Sequence, residues 1–121
     1  MDKPAYTFTL FNNEPNTRTV AEGEFVFTEG DPGDFMYALI DGAVHITRNG
    51  TVLEAICPGG VFGEMALLEK KARSASAVAV APSRLARITE SRFTTLVSQN
   101  PPFALAMMRL LSDRLRRNGT S

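Results

Sequence analysis

"VFGEMALLEKKARSAS", Val61 to Ser76, is the stretch on which the reading of this chain turns. Glu64 follows a glycine at the head of a short helix-prone run, EMALLE, and Arg73 lies nine residues further on, among small residues where a strand begins. Gly59, Gly60 and Gly63 permit a close approach of main chain to another group. The first amides of a helix have no partners inside it, and with the helix dipole they favour an anion. Arg73 adds an always-charged clamp for two phosphate oxygens, and Ser74 adds a hydroxyl. A carboxylate at Glu64 is misplaced beside an anion unless it accepts hydrogen bonds from a neighbouring hydroxyl. A sugar phosphate with a free hydroxyl meets all three requirements. Taken singly, each residue also has a structural explanation. An acid in a first helical turn complements the dipole, and an arginine before a strand is commonly a surface residue near an acid.

The surrounding chain narrows the class. Its 121 residues make one domain by length, with 44% hydrophobic residues to build a core. A single cysteine, Cys57, rules out an intrachain disulfide. The opening MDKPAYTFTL lacks the basic start and apolar centre of a signal peptide, and no apolar run approaches the ~20 residues a membrane helix needs. These features predict a soluble cytoplasmic protein. Net charge is zero but uneven: residues 1–50 hold three basic and eight acidic side chains, residues 51–121 ten and five. The second half therefore suits an anionic ligand, although two solvated faces of a neutral domain account for the same split.

Residues 1–16, with Pro4, Asn12-Asn13 and Pro15, predict an irregular or partly helical lead-in. From Thr17 to Thr89 short strands alternate with glycine-marked turns. EFVFT ends at the turn-rich EGDPGD. Asp41-Gly42 between FMYALI and AVHIT predicts a two-residue hairpin, and Asn49-Gly50 before TVLEAI predicts a second. SASAVAVA and RLARIT predict a further strand pair around Pro82-Ser83. After Thr89 the period becomes helical: ESRFTTLVSQN, then PFALAMMRLLSDRLRRN with prolines at its start, arginines in its last turns and Gly119 as a stop. The expected fold is mainly β with flanking helices, an antiparallel, jelly-roll-like β-roll over residues 17–89 followed by two C-terminal helices over 90–118. The last helix is apolar on more than one stripe, enough to cover a ligand or to pair with another copy as a homodimer.

PGGVFGEMALLEKKARSASAVAV resembles the phosphate-binding cassette of cyclic nucleotide-binding domains, here spanning residues 59–76. That cassette has a Gly-Glu-x-(Ala/Gly)-Leu start, a variable loop, then Arg with small residues. EGEFVFTEGDPGDFMYALIDGAVHI is similar to the family's glycine-marked early strands, and the likeness runs over about residues 17–117. The resemblance implies that Glu64 accepts from the ribose 2′-hydroxyl, that main-chain groups near Gly63, Met65 and Ala66 contact ribose and phosphate, that Arg73 pairs the exocyclic phosphate oxygens, and that Ser74 assists the phosphate or touches the purine. A serine after the arginine is similar to the bacterial catabolite activator branch, so cAMP is expected over cGMP. It further implies a ligand-shifted final helix, with Arg114, Leu115 or Asn118 as candidates to cap the base. The chain ends without the helix-turn-helix or other output modules of family members. The expectation is therefore a sensor signalling to a partner protein, with no cofactor beyond its ligand and no direct contact with nucleic acid or membrane.

Other readings compete. A small β-roll also suits a cupin-type metalloenzyme, but that chemistry needs clustered histidines, and His45 is the sole histidine, in a strand beside Val44 and Ile46. Cys57, beside Pro58, is far in sequence from His45, so no nucleophilic pair is expected. A relative of the same fold that has lost its ligand and serves as an interaction module is opposed by the intact Glu64 and Arg73. DNA binding through the basic RLRRN is a third reading, but charges in a helix's last turns are more often a dipole-matched, solvated end. No catalytic residue and no metal ligand is expected.

Overall fold

A computed structural model describes residues 8–117. In chain order the elements are β1 (Thr17–Val20), β2 (Phe25–Phe27), β3 (Met36–Asp41), β4 (Val44–Arg48), β5 (Thr51–Ile56), β6 (Val61–Phe62), α1 (Glu64–Glu69), β7 (Ser76–Ala79), β8 (Ser83–Ile88), α2 (Glu90–Gln99) and α3 (Pro101–Arg117). They fall into two compact units, one through Glu90 and one from Ser91. The expected mainly antiparallel β-roll followed by two helices is what the chain adopts. The start of the lead-in, with Pro4, and the residues Asn118 and Gly119 lie outside the described residues. The described part of the lead-in is turn rather than helix, and there Phe8 donates its amide to the Gly59 carbonyl.

The first unit holds two four-stranded antiparallel sheets, ordered β1-β8-β3-β6 and β2-β7-β4-β5. Their apolar faces form one core from Val20, Val26, Phe27, Tyr37, Leu39, Val44, Ile56, Phe62, Ala77, Ala79 and Leu85. Alternation drives this. In β7, Ala77 and Ala79 are buried while Ser76 and Val78 are less so. Phe27, Tyr37 and Phe62 meet ring to ring, the last two stacked with centroids 5.5 Å apart.

Two of the three predicted strand pairings are different in space. Asn49-Gly50 does close a hairpin between β4 and β5, with positive φ at both residues (51° and 79°), as a type I′ turn requires. At Asp41-Gly42 only the glycine is left-handed, so the turn type that folds a strand back on itself is unavailable. β3 instead passes from the first sheet to β4 in the second. The segment around Pro82-Ser83 likewise carries the chain from β7 in the second sheet to β8 in the first. Since β3 pairs with β8 and β4 with β7, the two corners lie side by side on one bent ribbon. Ser83, buried, clasps them: its Oγ accepts from the Ala43 amide at 3.1 Å and donates to the Ala81 carbonyl at 2.8 Å.

In the second unit, Asn100 caps α3 by accepting from the Phe103 amide at 3.2 Å. Phe93 of α2 meets Phe103 of α3 edge to face. On α3, Phe103, Met107 and Leu110 are buried while Leu105, Met108 and Leu115 are exposed.

Candidate functional site

The site grows from β6, at the edge of the first sheet, and the chain that leaves it. Gly63 ends the strand in a left-handed conformation, φ 79°, and serves as N-cap of the six-residue α1. A side chain there would be strained by the backbone alone, and its Cβ would lie 2.7 Å from Arg73 Nη1. α1 ends at Lys70, also left-handed, whose amide bonds back to the Ala66 carbonyl. The helix rests on the turn at residues 30–34 so closely that a Cβ on Gly33 would stand 2.4 Å from that of Ala66.

Arg73 is the centre of the arrangement. Its main chain is held by the same turn, with its amide donating to the Asp31 carbonyl at 2.8 Å and its carbonyl accepting from Gly30 at 2.9 Å. Its side chain is 4% exposed. Nη1 donates to the Gly63 carbonyl at 2.6 Å, and Nη2 donates to the Phe35 carbonyl. The guanidinium carbon stands 4.0 Å over the Phe27 ring and 5.9 Å from that of Tyr37. Nε is buried with no hydrogen-bond partner among the described residues. A buried orphan donor costs about 1–3 kcal/mol, and both bonds the group does make go to main-chain carbonyls. Burial pulls its pKa below the usual arginine value, opposed by Tyr37, Glu64, Asp34 and Asp31.

Glu64 is 2% exposed, and its charge acts on Arg73. The two residues are brought together through Gly63, which precedes Glu64 and accepts the bond from Arg73. Ala66 is buried and Met65 half-buried, whereas Ser74 is exposed and offers its carbonyl to Arg48 Nε at 2.9 Å. Arg114 and Leu115 belong to α3, and Asn118 lies outside the described residues. His45 sits in β4 opposite Ala55 and Val78, and Cys57 is a half-buried free thiol. Among the described residues there is no group of His, Cys, Asp and Glu that could hold a metal ion, and no helix long and apolar enough to cross a membrane.

Sequence reading missed the supports of Arg73. Phe27 and Tyr37 stand in the sequence only as members of the strands EFVFT and FMYALI. The Phe35 and Gly63 acceptors are main-chain carbonyls, to which any residue contributes equally, so composition carries no trace of them. The turn EGDPGD was legible as a turn, but not as the cradle of an arginine more than forty residues later. An open cavity of about 550 Å³ is lined by Asp34, Leu67 and Lys70 among others, and neither Glu64 nor Arg73 is among the residues that line it.

Comparison with known proteins follows the same lines. The family model described as "Cyclic nucleotide-binding domain" matches residues 17–100. The cyclic AMP receptor protein of Thermus thermophilus is 35% identical, over 82% of this chain and 48% of its own. The CRP-like cAMP-activated global transcriptional regulator of Mycobacterium tuberculosis is 29% identical, over 82% and 46%. The chain thus spans about half the length of these relatives. The crystal structure of the Thermus thermophilus catabolite activator protein superposes with a TM-score of 0.80 at 33% identity, covering 91% of this chain and 54% of that one.

Proposed function

The chain belongs to the cyclic nucleotide-binding domain family, and from that premise we propose that it is a sensor for a 3′,5′-cyclic nucleotide monophosphate, with cAMP favoured over cGMP. The observation that carries the reading is the buried Arg73 with its partnerless Nε. A cationic group desolvated against aromatic rings, with a donor left over, suits a phosphate oxygen. Arg73 is assigned to the exocyclic oxygens, Glu64 to the ribose 2′-hydroxyl, and the main chain of Gly63, Met65 and Ala66 to ribose and phosphate. Ser74 stands beside the phosphate and toward the base. The cAMP preference rests on that serine and on a relative that is itself a cyclic AMP receptor protein.

Binding selects one of two positions of α3, which passes the signal on. Such a shift is only as large as the difference in ligand affinity between the two states. The exposed Leu105, Met108 and Leu115 of α3 suit a partner protein or a second copy as receiver. In this reading the segment is a cytoplasmic regulatory domain, not an enzyme. It uses no cofactor besides its ligand, and no part of it is assigned to nucleic acid or membrane.

Calorimetric titration with cAMP and cGMP, against 5′-AMP as control, tests the proposal. Saturable binding of the cyclic nucleotides, tighter for cAMP and much weaker for 5′-AMP, is the expected result. Absence of binding by either cyclic nucleotide would overturn it.

A further inference from the structure

β4 ends at Arg48, whose Nε donates to the Ser74 carbonyl at 2.9 Å across 26 positions of sequence. Side chains alternate along a strand. Val44 is fully buried and Ile46 packs on the core, so Arg48 continues the inward row of β4. On the neighbouring β7, Ala77 pairs with Ile46. The buried Ala79 and Ala77 form its inward row, and the buried Ala75 and Arg73 continue the same alternation in the segment leading into the strand. Two guanidinium groups therefore stand on the inner side of β4 and of the segment leading into β7, Arg73 buried and Arg48 exposed at the rim. The single bond made by Arg48 occupies Nε. Its two Nη groups have no hydrogen-bond or ion-pair partner among the described residues.

Resting on the cyclic nucleotide reading above, we propose that Arg48 reads the base: its Nη pair donates to the acceptor edge of the purine. With the phosphate at Arg73 and the ribose at Glu64, the base is the remaining end of the ligand. Arg48 is bonded to the carbonyl of Ser74, the residue assigned above toward the base. The chemistry of the edge makes the assignment specific. Guanine presents N7 and O6, two acceptors that match an end-on guanidinium, whereas adenine presents N7 beside an amino donor. Arg48 thus contributes to both nucleotides but gives more to cGMP, and narrows the preference for cAMP that Ser74 sets.

The test is titration of the wild type, Arg48→Ala and Arg48→Lys with cAMP, cGMP and 7-deaza-cAMP, with thermal melting to follow the fold. Arg48→Ala is expected to weaken cGMP about tenfold, to weaken cAMP less, and to bind cAMP and 7-deaza-cAMP alike where the wild type prefers cAMP. Arg48→Lys is expected to keep the cGMP loss, since one ammonium cannot serve the Ser74 carbonyl and both purine acceptors. An equal loss for all three ligands would mean that Arg48 only props the Ser74 carbonyl, and would overturn the proposal while leaving the sensor reading intact. A wild type that binds neither cyclic nucleotide would overturn both.

Discussion

Arg73 Nη1 donates to the Gly63 carbonyl at 2.6 Å, so the two ends of the cassette are tied by one short bond. Gly63→Ala attacks both partners, because its φ of 79° strains any side chain and its Cβ would press on that nitrogen. We expect a stability loss of about 1–2 kcal/mol in urea denaturation, together with weaker cAMP binding. A variant as stable as the wild type would show that the tie is unimportant.

Replacing Arg73 by Lys is expected to cost about a hundredfold in cAMP affinity, or roughly 2–3 kcal/mol, because an ammonium cannot reproduce the planar fork. The variant's pH behaviour is a second readout. A base whose pKa burial depresses loses its proton as pH rises through the lowered value. Burial lowers Arg73 too, but an arginine stays charged across about pH 6 to 9, so wild-type affinity should be flat there. A buried lysine is depressed more readily, so the residual affinity of the variant should fall toward the alkaline end. Titrations at a series of pH values check both.

Glu64→Ala should weaken cAMP more than Glu64→Gln, since the amide oxygen still accepts a hydrogen bond. The control is 2′-deoxy-cAMP. Wild type should prefer cAMP to it by about 1–2 kcal/mol, and Glu64→Ala should bind the two alike. Equal discrimination by both proteins would remove Glu64 from the ribose.

Ser83→Ala should separate stability from binding. Loss of the buried Oγ strands the Ala43 amide and the Ala81 carbonyl, at a cost of about 1–3 kcal/mol, while cAMP affinity of the folded protein is unchanged. Chemical denaturation and titration on the same sample decide it.

The roll and its helices were legible because their signals are local. Alternation marked the strands, Asn49-Gly50 carries two left-handed residues in a row, and the period change after Thr89 announced α2 and α3. The corners were not, because Asp41-Gly42 spells a hairpin in one dimension. What separates the two strands is that β3 pairs with β8 in the first sheet while β4 pairs with β7 in the second, with the Ser83 clasp holding the corner. At the site the charged pair stood out in the text. The carbonyls of Gly63 and Phe35 and the inward row ending at Arg48 emerge only when strands are set side by side.

The segment that carries Glu64 and Arg73 leaves the roll from an outermost strand, β6, and re-enters at β7, with Leu68 through Ala72 exposed between its anchors. It is an excursion from a scaffold that closes without it. Doubling such a loop costs only about 0.6 kcal/mol of closure entropy. Extra length beyond the left-handed Lys70 that closes α1 is therefore cheap to accommodate, while the roll beneath keeps its register.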